Sequence, residues 1–217
     1  MSPPRLLQVD PVHPEPEPLA EATRIIRQGG LVAYPTETFY GLGADPFSRV
    51  ALERLFAAKG RPADRSVILL VSSIRQVEVV ATVPEGARPA YEKLAAAFWP
   101  GPLTLVLRAC DELAREASAP QPTVAVRVPG HPIALGLAAA CGPITSTSAN
   151  LTGGAPATRA SEIDPVLAGR LDLIVDGGPT RGGAPSTIVD LTGARPTLIR
   201  AGSIASAQIG ALLGHAL

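Results

Sequence analysis

The chain is poor in the residues that usually announce a chemistry. It has two cysteines, Cys110 and Cys141, too few for a disulfide framework and without metal-ligand spacing, so both read as free thiols of a reducing compartment. Its three histidines, His13, His131 and His215, stand apart, and no protein-bound metal is expected. Aromatic residues make up only 4% of 217, and 19 basic side chains are balanced by 19 acidic ones. That balance argues against a nucleic-acid footprint spread over the whole surface, which needs excess positive charge interleaved with aromatics. No apolar run reaches the roughly 18 residues that cross a bilayer. The opening MSPPRLLQVD lacks the apolar segment of a secretory signal. A cytoplasmic protein without membrane association is the expectation. Lysine is nearly absent as well, and Lys59 and Lys93 are therefore singled out.

Apolar residues make up 46% of the chain and charged residues 18%, enough for a substantial core in one domain. DPVHPEPEPLA is proline-rich and acidic and reads as an extended lead-in to a helix over Leu19–Arg27, closed by Gly29 and Gly30. Ser48 is placed to cap a helix running through Phe56. Further helices are expected over Arg88–Phe98, Pro132–Ala140 and Ala205–Leu213. Strands are expected from Leu31, over Val67–Ser72, Leu103–Arg108, Thr123–Val128, Leu171–Gly178, Ser186–Leu191 and Thr197–Gly202, with a short one entering the hydroxyl-rich loop after Ile144. Strands and helices mix without regular alternation. The fold class is therefore α/β or α+β, a single domain with a mixed sheet.

GGLVAYPTETFYGLG, Gly29–Gly43, poses the functional question. An apolar strand ends in Thr36, Glu37, Thr38 and Tyr40, more polar side chains than a turn requires, and this suggests a ligand-facing edge. Three other segments share the property. KGRPADR carries Lys59, Arg61 and Arg65 directly after a helix; TSTSANLTGG gathers Thr145 to Ser148 and Asn150; and Arg127, Ser186, Thr187 and Arg200 lie in or beside apolar strands. Each has a plainer explanation. Cations after a helix complement its dipole, a Ser/Thr/Asn loop bonds its own backbone, and a strand arginine can sit in a structural ion pair. Together they describe a pocket for an anion, with arginine suited to bidentate capture of carboxylate or phosphate. No Walker or dinucleotide pattern and no nucleophile triad is present. Chemistry here would run by positioning and charge stabilisation, as in phosphoryl and nucleotidyl transfer.

PTETFYGLG, KGRP, FWPGPLTLVL, VRVPGHP, TSTSANLTGG, PSTIVD and IRAGSI occur in one order across roughly residues 18–204. In this the chain resembles the YrdC-like threonylcarbamoyl-adenylate synthases. The family's paired signature stands as Lys59-Gly60-Arg61 and Ser148-Ala149-Asn150. The resemblance implies a single YrdC-like catalytic domain over 18–217 behind a lead-in of 1–17, a twisted mixed sheet flanked by helices with a large concave cationic cavity. It implies a nucleotidyltransferase that combines L-threonine, bicarbonate and ATP, the last with Mg2+ as part of the substrate complex. The products would be diphosphate and threonylcarbamoyl-AMP, which a partner transferase complex uses to modify a tRNA adenosine beside the anticodon. Weak direct binding of tRNA or other RNA goes with that role.

By the same resemblance, Lys59 and Arg61 are catalytic cations on bicarbonate and phosphate. Thr38, Leu70, Arg127 and Ser186 contact L-threonine. Arg61, Arg65, Thr123, Ser148, Asn150, Thr158 and Arg200 contact ATP. Two departures stand out. Ser66 replaces a proline of many relatives, and Leu70 stands where some place a histidine. The chain matches the short form of the family, the long form carrying a linker and a further domain. The alternatives are a paralogue of the same fold that binds RNA or nucleotide without this activity, and a carbamoyl-adenylate activity like that of hydrogenase-maturation proteins. The intact Lys-x-Arg and Ser-x-Asn pairs argue against the first, and the acylphosphatase and zinc-finger segments of the second have no counterpart here.

Overall fold

A computed structural model describes residues 4–60, 67–113, 115, 117–118 and 122–216. In chain order the first half comprises β1 (Arg5–Gln8), α1 (Pro16–Arg27), β2 (Val32–Pro35), β3 (Tyr40–Gly43), α2 (Arg49–Lys59), β4 (Ile68–Leu70), α3 (Ile74–Val77), β5 (Ala81–Thr82) and α4 (Arg88–Phe98). The second half comprises β6 (Leu103–Ala109), β7 (Thr123–Arg127), α5 (Pro132–Cys141), β8 (Ile144–Thr145), β9 (Thr147–Ser148), α6 (Pro165–Ala168), β10 (Leu173–Asp176), β11 (Thr187–Asp190), β12 (Thr197–Arg200) and α7 (Ser206–Leu213). Among the described residues no helix is long and apolar enough to cross a membrane.

The strands form two mixed sheets rather than one. The smaller has the order β1-β10-β2-β3-β9, and the larger β12-β11-β6-β7-β4-β8, with β5 on β6. The sheets are joined where the chain passes from β8 to β9 through Ser146. Thr145 pairs with Leu69 in the larger sheet, and Thr147 with Leu42 in the smaller. The crossing is pinned by hydroxyls. Thr145 Oγ1 donates to Leu42 O at 2.9 Å and accepts from Ala44 N at 2.8 Å, and the Tyr34 hydroxyl donates to Thr145 O at 2.7 Å. Part of the hydroxyl-rich stretch thus serves the fold.

The apolar strands and helix faces divide between two cores. One joins α2, α4 and α7 to the larger sheet around Leu52, Leu55, Leu94, Leu105 and Ile209. The other lies under α1 and α5 around Ile26, Val32, Tyr34, Leu137 and Val175. Each fully buried aliphatic side chain there stabilises by about 1.5–3 kcal/mol relative to exposure. Helix ends follow the local sequence. Pro16 starts α1, earlier than Leu19, because proline suits the first helical turn. Ser48 caps α2 by accepting from Ala51 N, as expected. That helix runs through Lys59 instead of stopping at Phe56, and Gly60 closes it at φ 60° in the left-handed region. Lys59 is therefore its last residue, not one that follows it. Arg5–Gln8 of the lead-in is a strand that pairs in parallel with β10.

Candidate active site

A cavity of about 600 Å³ opens between the two sheets. The smaller sheet and its β2–β3 turn supply Thr36, Thr38, Tyr40 and Gly41, the larger sheet Ile68, Val106, Ala125, Arg127, Ile188 and Arg200, and the crossing Ser146 to Ser148. Asn150 and Ser186 complete the polar part of the lining. On β7 the cavity-facing residues alternate, Ala125 and Arg127, as a pleated wall requires. The β11–β12 register shifts between Ile188 and Val189. That bulge accounts for the consecutive residues Ile199 and Arg200 both facing the cavity.

The polar turn after β2 divides its labour. Thr36 organises the turn: its Oγ1 donates to Phe39 O at 2.7 Å and accepts from Thr38 N at 3.2 Å. Thr38 lines the cavity, and its Oγ1 lies 3.2 Å from that of Thr36. Its carbonyl accepts from Thr180 Oγ1 at 2.9 Å and Gly182 N at 2.8 Å, which ties the turn to a distant loop. Tyr40 donates to Gly178 O at 2.7 Å and Asp176 Oδ1 at 3.1 Å. Burial and the neighbouring Asp176 carboxylate push its phenol up, so it stays a neutral donor. Glu37 turns to the opposite wall, where Oε1 meets Arg127 Nη1 at 3.3 Å. Arg127 is therefore not alone in its strand. The pair is almost dry, with side-chain exposures of 5% for Arg127 and 13% for Glu37. Among the described residues, Arg127 Nε and both Glu37 carboxylate oxygens are buried without a hydrogen-bond partner.

Ser186 and Arg200 form a tight unit beside this pair. Arg200 Nη2 donates to Ser186 O at 2.8 Å and Oγ at 3.0 Å, and Nε donates to the same carbonyl at 3.1 Å. Ser186 Oγ is also 2.8 Å from Thr104 Oγ1. Burial, and then the nearby Arg127 charge, lower the Arg200 pKa. Gly202 is needed next to this unit, because a Cβ there would lie 2.3 Å from Pro185 O and 2.6 Å from Thr187 N.

Lys59, expected on bicarbonate and phosphate, is the last residue of α2. It is 3% exposed, and its ammonium donates to Ser148 O and, at 2.6 Å, to Asn150 O. Its carbonyl accepts from Thr152 N and Oγ1. The Lys-x-Arg and Ser-x-Asn signatures are thus one unit in space, with the lysine tying down the loop that presents Ser148 and Asn150. Asn150 Nδ2 braces the same loop on Leu151 O and Gly154 O at 2.8 and 2.7 Å, and among the described residues no donor reaches its buried Oδ1.

Of the expected site residues, Thr38, Arg127, Ser148, Asn150, Ser186 and Arg200 share the cavity wall. Leu70 does not. It is fully buried in the second core with Tyr34, Ile133 and Ile144, the natural place for a leucine. Thr123 is four residues along β7 from Arg127, outside the lining, paired with Arg108. Thr158 is also outside, with N and Oγ1 donating to Glu162 Oε2 at 2.7 and 2.8 Å. Arg61 and Arg65 lie outside the described residues. Glu37, Tyr40 and Ser146 join the site without an assigned role. Glu37 carried one signal, an acid placed among hydroxyls at the end of a buried strand.

Comparison with known proteins follows the geometry. A family model described as Sua5, YciO and YrdC, telomere recombination, matches residues 24–202. The chain is 45% identical over 196 residues to the threonylcarbamoyl-AMP synthase of Pyrococcus abyssi, covering 89% of this chain and 56% of that protein. It is 41% identical over 199 residues to that of Bacillus subtilis, covering 90% and 56% respectively. The chain thus spans little more than half the length of either relative. The solved structure of P. abyssi Sua5 complexed with L-threonine matches with a TM-score of 0.88 and 42% identity, over 97% of this chain and 61% of that one.

Proposed function

The chain belongs to the Sua5, YciO and YrdC family, and on that premise we propose that it makes threonylcarbamoyl-AMP from L-threonine, bicarbonate and ATP. The observation that carries the reading is the common lining of one cavity by Arg127, Thr38 and Ser186 together with Ser148 and Asn150. Two guanidinium groups face it, with Glu37 paired to one of them. That arrangement supports the expectation of a cationic cavity.

Arg127 receives the threonine carboxylate, as a guanidinium in a nearly dry wall is suited to do. Thr38 and Ser186 offer hydroxyls to the rest of the amino acid. The threonine amine attacks the carbon derived from bicarbonate, water is lost, and N-carboxythreonine forms. A carboxylate oxygen of that carbamate attacks the α-phosphorus of ATP, the bond from that phosphorus to the bridging oxygen breaks, and diphosphate leaves. Negative charge grows on the α-phosphate oxygens. Fixed donors stabilise it without proton transfer. Arg200 and Ser148 would act in this way, and Asn150, whose Oδ1 is an acceptor that no donor reaches among the described residues, would take a donor group of the nucleotide. Arg61 and Arg65 would add cations from the segment after α2, and Thr123 and Thr158 would act at the outer edge of the nucleotide. Lys59 serves the reaction by holding the loop. Mg2+ enters with ATP as substrate; among the described residues no group of three or more His, Cys, Asp or Glu side chains is arranged to hold a metal. A transferase complex would then take the product to tRNA, in the cytoplasm.

The test is incubation with ATP, Mg2+, bicarbonate and L-threonine. Threonine-dependent diphosphate release, with threonylcarbamoyl-AMP in the mass spectrum, is the expected result. Diphosphate release that does not respond to threonine would contradict it.

A further inference from the structure

The Glu37–Arg127 pair joins the two sheets at the cavity, from the β2–β3 turn to the end of β7. Its geometry is poor for a stabilising device. The contact is 3.3 Å, and Arg127 Nε and both carboxylate oxygens meet no hydrogen-bond partner among the described residues. A buried pair so incompletely bonded does not recover the cost of desolvating its charges. Stability alone therefore gives no account of it.

The neighbourhood supplies one. Arg127 lines the cavity, whereas Glu37 is not part of the lining. Arg200 faces the same space, near enough for the two guanidinium charges to act on each other. Left alone, Arg127 would be driven from the wall by desolvation and by its like-charged neighbour. A carboxylate behind it offsets both effects while leaving its cavity side open to a ligand. Building on the proposed function, we propose that Glu37 is a positioning residue that holds the Arg127 guanidinium in place for the substrate carboxylate. Glu37 itself touches neither substrate nor reacting atoms. An oriented guanidinium binds more tightly than one that must be ordered by the ligand.

The experiment is calorimetric titration of the whole chain, wild type, E37Q and E37D, with L-threonine, with its deaminated analogue 2,3-dihydroxybutanoate, and with threoninol, which lacks the carboxylate. Circular dichroism melting establishes that each variant is folded. E37Q should weaken L-threonine and the deaminated analogue alike, by about tenfold or more, and leave threoninol unchanged. E37D, which keeps the charge, should fall between E37Q and wild type. In turnover assays E37Q should raise the KM for threonine while kcat and the KM for ATP change by less than about threefold. Unchanged or tighter L-threonine binding in folded E37Q would overturn the inference and leave the proposed function standing. So would a loss confined to ligands bearing the amino group, which would put Glu37 in direct contact with substrate. Failure of the wild type to bind L-threonine would remove the proposed function itself, and the inference with it.

Discussion

Two buried cations belong to the site, Arg127 in the cavity lining and Lys59 bonded to the loop that carries Ser148 and Asn150, and they are held on opposite plans. The Lys59 ammonium is bonded to the carbonyl oxygens of Ser148 and Asn150, inside the protein. The Arg127 guanidinium lines the cavity, touches one carboxylate loosely and keeps a buried Nε with no acceptor among the described residues. The first cation ties down a loop, and the second is the one that the proposed function sets on a ligand. On that proposal a signature residue and a contact residue are different things, although both are buried and both are basic.

The comparison can be broken most readily at Arg127. Arg127→Ala should lower kcat/KM for L-threonine by about 2–4 kcal/mol, the loss expected when a charged hydrogen-bonded contact disappears. Steady-state diphosphate release measures it, and unchanged threonine kinetics would remove Arg127 from the substrate. Lys59→Ala should act mainly on the fold. Losing the charged donor leaves two loop carbonyls without it and should cost roughly 2–3 kcal/mol of stability, a drop of about 4–12 °C in melting temperature for a chain of this size. Scanning calorimetry would show it, with a raised KM for ATP and near-normal threonine affinity.

Side-chain selectivity is a smaller effect. A pocket that packs the threonine methyl group gains only ~1–3 kcal/mol from it, so L-serine should be a slow substrate and not an excluded one. Equal kcat/KM for the two amino acids would remove the case for methyl packing. The smallest change serves as a control. Ser48 caps the helix that carries Lys59 but lies at its far end. Ser48→Ala should cost about 1 kcal/mol of stability and leave threonine binding untouched. A loss of binding there would mean that α2 as a whole, and not the Lys59 bonds, sets the site.

How much of this the sequence reveals depends on the range of the interaction. Leu103–Arg108 and Arg88–Phe98 are legible because apolar runs and a 3.6-residue period are local properties, and both match the structure to within a residue. Ser48 is legible for the same reason. β1 is not legible, because RLLQ is short and mostly exposed and becomes a strand only by pairing with β10 far along the chain. One sheet was expected where two exist, because the crossing at Ser146 is written in small hydroxyl residues without periodicity. The same limit governs the site. Six expected residues line one cavity, whereas the Glu37–Arg127 pair and the Lys59 bonds depend on tertiary approach. Leu70 was placed by position in the family pattern, but an apolar side chain follows burial and entered the core.

The contrast between the two cations comes down to one paired titration. L-Threonine is titrated calorimetrically into folded Arg127→Ala and folded Lys59→Ala, without ATP, beside the wild type. Binding lost in Arg127→Ala and retained in Lys59→Ala is the predicted result. Binding retained in Arg127→Ala and lost in Lys59→Ala would contradict it, and would make the lysine the substrate contact and the arginine a strut between the sheets.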